Sequence, residues 1–198
     1  MMQQLMRVAG IAGTVFLAGC VSVIPSPQMP DALYSIKAAQ TPYPVASNLT
    51  IREPESPLIV SGQAMTSKAP GGEIRLLPGA EWAERSTRLI QLAAIDSFQV
   101  GEDGAALLPE SGVKSSYELT SRLQTLELQS DRAVCEISVA LVDLQSREML
   151  AHTVVRAEQT APSSKTLDRA ATLKSATEAC VDQMAKFAST AVAANTQP

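Results

Sequence analysis

The chain has 198 residues, with 16 basic and 20 acidic side chains and a formal net charge of −4. That length suits one domain. An acidic balance without a basic cluster excludes the electrostatic footprint of a nucleic-acid binder, and no cluster is basic enough to hold anionic head groups unaided.

The opening segment carries one basic residue, Arg7, and residues 8–19 are apolar or small apart from Thr14. Twelve residues of helix rise about 18 Å, whereas a bilayer core needs about 30 Å. The run therefore reads as the apolar core of a signal peptide rather than a permanent span. It ends in Leu17-Ala18-Gly19-Cys20, the lipobox order of one apolar residue, two small residues and cysteine. Small residues admit the backbone to a signal peptidase. The thiol accepts a diacylglyceryl group, and cleavage frees the Cys20 amine for a further acyl chain. Each buried CH₂ contributes about 0.8 kcal/mol, so one chain holds marginally and several hold firmly. The expectation is a signal peptide over residues 1–19 and lipid attachment at Cys20, with the protein facing the periplasm. Val21, in place of an aspartate, favours delivery to the outer membrane over retention at the inner one. Residues 20–30 contain Pro25, Pro27 and Pro30 and read as an extended tether.

Residues 31–192 read as one domain, with a tail at 193–198. Residues 31–37 and 48–52 suggest two short strands, separated by a Pro-rich turn. Residues 53–57, Glu-Pro-Glu-Ser-Pro, break the chain. Leu58-Ile59-Val60 and residues 73–77 suggest a hairpin with a long loop through Gly71-Gly72. Pro78-Gly79 punctuates. From Ala80 onward Trp82, Ser86, Leu89, Ile90 and Ala93 recur at helical spacing, with Glu81, Glu84, Arg85, Arg88 and Gln91 mostly outward. Residues 97–100 suggest a short strand and residues 101–112 a loop.

Tyr117, Leu119, Ser121 and Leu123 alternate with polar residues, as in a half-buried strand. The apolar phase slips by one at Leu126 and Leu128, which predicts a bulge near Gln124 or Thr125. Cys135, Ile137, Val139 and Leu141 share the next strand's face. A turn through residues 145–147 leads to a third strand at 149–157. Three long strands with short connections predict an antiparallel meander. Residues 167–192 are alanine-rich and helical, with Leu173, Ala176, Cys180, Met184, Phe187 and Ala191 in one stripe. The expected fold class is α+β: a mainly antiparallel sheet with two helices packed on one face.

Chemistry-bearing residues are few. His152, the only histidine, lies in phase with Leu150 and Val154 and reads as a rim residue rather than a catalytic one. Glu53 and Glu55 flank Pro54 and read as solvated surface. There is no Gly-x-Ser-x-Gly, no phosphate-binding glycine loop and no set of metal ligands. No catalytic, cofactor or metal site is expected. Cys135 and Cys180 both fall on apolar stripes; in an oxidising compartment they are candidates for a disulfide, with buried thiols the alternative. Trp82 is a candidate anchor, either in the core or at an interface.

Leu33-Tyr34-Ser35-Ile36, Ile74-Arg75-Leu76 leading to Glu81-Trp82-Ala83-Glu84, Tyr117-Glu118-Leu119, Ala140-Leu141-Val142-Asp143 and the alanine-rich final helix follow in an order that resembles the ABC-type transport auxiliary lipoproteins. That family includes paraquat-inducible lipoprotein C-like proteins. The resemblance covers residues 32–188. It implies a partner protein rather than an enzyme, working with an Mce-domain protein and an associated ABC transporter or permease in moving lipids between membranes. The lipoprotein would dock or gate the conduit at the outer membrane, and a homo-oligomer is compatible with that role. Where relatives carry a tryptophan in the final helix this chain has none, and Phe187 stands nearest. Two other classes compete: a structural lipoprotein scaffolding a secretion or cell-wall synthesis complex, and a small periplasmic hydrolase, which the missing nucleophile constellation disfavours.

Overall fold

A computed structural model describes residues 29–196; the expected signal peptide, Cys20 and most of the tether lie outside the described residues. In chain order the elements are β1 (Ala32–Tyr34), β2 (Leu49–Ile51), α1 (Leu58–Ser61), β3 (Ala64–Lys68), β4 (Ile74–Trp82), α2 (Ser86–Ile95), β5 (Ala106–Leu107), β6 (Tyr117–Gln129), β7 (Arg132–Asp143), β8 (Met149–Thr160) and α3 (Thr166–Thr196). A 3₁₀ turn at Pro109–Ser111 follows β5.

The meander β6–β7–β8 forms as expected, with β7 antiparallel to both neighbours. The register shifts between Leu123 and Thr125, so the phase slip in the sequence is a bulge. It keeps Leu119, Leu123, Leu126 and Leu128 all buried. Without it the last two would turn to solvent, because side chains alternate faces along a strand. The turn after β7 is held by the Asp143 carboxylate, which accepts from the amides of Gln145 and Ser146 at 2.7 Å each.

The sheet as a whole is mixed, not mainly antiparallel. Among the described residues four of its strand pairings are parallel, β1–β4, β2–β5, β2–β6 and β3–β6, against three antiparallel ones. The far side of β6 carries β2 at its start, Leu49 beside Tyr117, and β3 at its end, Ser67 beside Leu128. The strands β2, β3 and β5 hold two to five residues, too few for a pattern to declare a partner.

Three local expectations are overturned. Leu58-Ile59-Val60 is a turn of helix, not a strand: Pro57, at φ −58°, launches it, and its carbonyl accepts from the amides of Val60 and Ser61. Three apolar residues alone cannot separate the two states. The hairpin partner of β4 is therefore β3, closed by Ala69 and Glu73. Strand β4 also runs straight through Pro78-Gly79 to Trp82, so the helix begins at Ser86 rather than Ala80. Between the Thr66–Leu76 and Ala64–Glu81 pairs, β4 holds extra residues. Pro78 sits in that irregularity, where no ladder bond is required of it. Gly79 takes φ +73° there, which a residue without Cβ adopts freely. Gln91, expected outward, is buried and donates to the Ile51 carbonyl at 2.8 Å, tying α2 to β2.

Helix α3 lies along β7 and β8, reaches β4 and β6, and packs against α2. Its expected stripe is inward: Leu173, Ala176, Cys180, Met184 and Ala191 are buried, and Phe187 is packed at the core's margin. The helix continues to Thr196.

Candidate functional site

The two internal cysteines meet. Cys135, on the inner face of β7, and Cys180, on the inner stripe of α3, are both fully buried. They are thiols in this structure, and the Cys180 S–H donates to the Cys135 carbonyl at 3.1 Å. Burial, and then the contact with Cys180, hold the Cys135 thiol well above its ordinary pKa. A thiol so held is a poor nucleophile.

Trp82 ends β4 rather than opening a helix. It pairs with Tyr34 of β1, its amide donates to the Gln63 carbonyl at 2.7 Å, and its side chain is 1% exposed. The ring belongs to the core, so of the two roles read from the sequence the structure favours packing.

His152 pairs with Ala140 on the solvent side of the meander. It shares a shallow cleft of about 290 Å³ with Arg52, Glu53, Glu55, Arg122 and Met149. Glu53 is already committed: it accepts from Thr87 Oγ1 at 2.5 Å and from Arg85 at 3.2 Å. Arg52 lies 3.5 Å from Glu118. Glu55 is strapped to β6 through its backbone, its amide bonding Ser121 and its carbonyl accepting from Leu123. The cleft is thus an open polar surface in which Arg52 and Glu53 are paired, while the Glu55 carboxylate and Arg122 make no ion pair among the described residues. Sequence reasoning missed it as a unit because only the parallel path beside β6 brings residues 52–55 to Arg122. Further along the same side, Arg156 bridges Glu136 and Glu158, and Arg132 joins Glu158 at 2.9 Å. Hydrogen bonding to Arg156 lowers the Glu158 pKa, and the same bond raises that of Arg156.

The segment from β1 to Pro44 is strapped along α3. Tyr34 donates to the Leu167 carbonyl at 3.2 Å, the Lys37 amide to Glu178 at 2.9 Å, Tyr43 to Asp182 at 3.0 Å, and Ser189 to the Pro44 carbonyl at 2.7 Å. Desolvation, followed by the Asp182 bond, raises the Tyr43 pKa. Among the described residues no group of histidine, cysteine or carboxylate side chains is placed to hold a metal, and no helix is long and apolar enough to cross a membrane.

Comparison with known proteins gives the frame for these features. No curated protein matches the sequence. Among solved structures, protein XCC0632 from Xanthomonas campestris, of family DUF330, superposes with a TM-score of 0.70 at 17% identity, covering 85% of this chain and 98% of that one. The hypothetical protein CT253 from Chlamydia trachomatis superposes with a TM-score of 0.50 at 8% identity, covering 74% and 98%. At these identities the likeness shows a shared fold. Residues 32–185 match the family described as ABC-type transport auxiliary lipoprotein component. With the match spanning the whole sheet and most of α3, the chain belongs to that family of transport auxiliary lipoproteins.

Proposed function

We propose that this protein is a lipid-anchored accessory subunit of an envelope lipid transport system, tethered through Cys20 and docking an Mce-domain protein that works with an ABC transporter. The family match over residues 32–185 carries the reading. The lipobox at Leu17-Ala18-Gly19-Cys20 and the proline-bearing tether support it from the sequence. The described surface adds a consistent picture: Arg156 forms ion pairs with Glu136 and Glu158 on the outer face of the sheet, and among the described residues no hydrogen bond links His152 to the Ser121 or Ser138 that line the same open cleft. That favours a binding role over catalysis. Val21 favours the outer membrane as the site of anchorage.

The test uses the full-length, lipidated protein in detergent. Intact mass gives the acylation state, and size exclusion with the Mce-domain protein of the same organism gives the interaction. Co-elution, and a lipid transport defect in the deletion strain, are expected. An acylated protein that co-elutes with no Mce-domain protein, in a strain whose lipid transport is normal after deletion, would defeat the transport reading in favour of an envelope scaffold.

A further inference from the structure

The described chain begins at Met29, which is 89% exposed. Met29 lines an open cleft of about 830 Å³ together with Leu76, Pro78 and Leu167. Leu76 is 61% exposed and Leu167 is 47% exposed. Ile74, two residues before Leu76 on β4 and so on the same side of that strand, is exposed too. Leu76 also borders a second cleft with Lys68, Pro70, Arg75 and Arg169. Large apolar side chains gathered this way on a surface, with basic side chains at the border, mark an interaction face.

Covalent geometry limits what this face can meet. Nine peptide steps separate Cys20 from Met29, a reach of at most about 30 Å. An acyl chain on Cys20 therefore holds the Met29 end of the domain within one short tether of the lipid. Helix α3 starts at this same end, as the Tyr34 bond to the Leu167 carbonyl shows. Its other end lies beside Tyr117, whose hydroxyl donates to the Asn195 carbonyl at 2.7 Å. At 1.5 Å per residue those ends are about 40 Å apart. The exposed apolar residues at the Met29 end are thus the ones the anchor brings to the bilayer.

On these grounds we infer that the face formed by Met29, Ile74, Leu76 and Leu167 rests on the lipid surface that holds the anchor, with Arg75 and Lys68 at head-group level. Asp31 and Glu81 also line the cleft, so the contact is apolar insertion assisted by the basic border rather than attraction of the whole domain to anionic lipid. Arg75 makes no ion pair among the described residues. The domain then stands with the end of α3 and the residues before β6 away from the membrane, free for a partner. This rests on acylation of Cys20.

The test places an environment-sensitive fluorophore on engineered cysteines, Leu76→Cys, Leu167→Cys and Val113→Cys, in the full-length lipidated protein. Cys135 and Cys180 are fully buried and Cys20 is acylated, so only the new thiol labels. Val113 is exposed in the loop before β6, at the far end. Vesicles are phosphatidylethanolamine with a minor share of phosphatidylglycerol, with and without spin-labelled lipid. The expected result is a blue shift and strong quenching at positions 76 and 167 and neither at 113. If the mass confirms acyl chains yet all three probes behave alike, the lipid-facing inference fails while the anchor stands. A mass without acyl chains overturns the anchor and this inference together.

Discussion

Cys180 donates its S–H to the carbonyl oxygen of Cys135 across 3.1 Å, and both side chains are wholly buried. This contact joins the middle of α3 to β7. In an oxidising envelope the pair is expected to become a disulfide. Each thiol loses its proton, the pair gives up two electrons, and a periplasmic thiol–disulfide donor is reduced to two thiols. Because burial keeps the Cys135 thiol protonated, the exchange belongs to folding, before α3 closes over the sheet. The loop of 44 intervening residues then contributes about 4 kcal/mol by loop entropy, before strain. Non-reducing peptide mapping of envelope-purified protein should recover the cross-linked pair, and a reductant should lower the melting temperature. Recovery of two free thiols would leave them as core packing.

Trp82 is the largest side chain among those fully buried. It closes the sheet at the end of β4, where β1 pairs with it. Trp82→Ala should cost about 3–5 kcal/mol, read as a lower denaturant midpoint at unchanged slope. Binding of a partner should persist in the fraction that remains folded. A variant of native stability that no longer binds would move the residue to an interface.

Cys135, Cys180 and Trp82 also show what was legible in the sequence. The inward placement of Cys135 and Cys180 followed from period-2 and helical stripes, each supported by several apolar residues. The β6 bulge was legible because Leu123 and Leu126 break parity in a long strand. Trp82 was misplaced onto a helix because Pro78-Gly79 looks like a strand end. Only the β3 register shows that the chain bulges there and continues. The parallel pairings of β1, β2 and β3 were invisible for a related reason. Their partners lie across crossovers, and a three-residue strand such as Leu49–Ile51, buried at every position, has no alternation to read. The cleft around His152 depends on those same pairings.

Asp143 lies at the turn between β7 and β8, and its pKa is lowered chiefly by the backbone amide of Ser146, with that of Gln145 assisting. A carboxylate depressed in the folded state contributes its full stabilisation above its ordinary pKa of about 3.9. That contribution fades as the pH falls through the lowered folded value. The amide oxygen of an asparagine side chain would accept from the same two backbone groups without titrating. The melting temperature of wild type minus that of Asp143→Asn should therefore be flat at neutral pH and fall below about pH 4. A difference independent of pH down to the acid limit would show that the charge contributes nothing.

Gly104 approaches the backbone of Ser47 so closely that an added Cβ would lie 2.4 Å from the Ser47 carbonyl carbon and 2.6 Å from its oxygen. A backbone carbonyl cannot swing aside as a flexible side chain would. The strain would fall on the neighbouring contacts that seat β5 beside β2: the Leu49 amide to the Ala105 carbonyl at 2.9 Å, and the Ala105 amide to Asn48 Oδ1 at 3.2 Å. Gly104→Ala should accordingly cost about 1–3 kcal/mol, the usual range for forced overpacking. Gly101, in the same loop, has nothing within 4 Å of an added Cβ and no positive φ. Gly101→Ala should be neutral or stabilising by up to about 1 kcal/mol, through the unfolded chain's lost freedom. Urea midpoints of the two variants give the comparison. Equal midpoints would mean that the loop before β5 relaxes freely and does not hold the parallel β5–β2 pair in place.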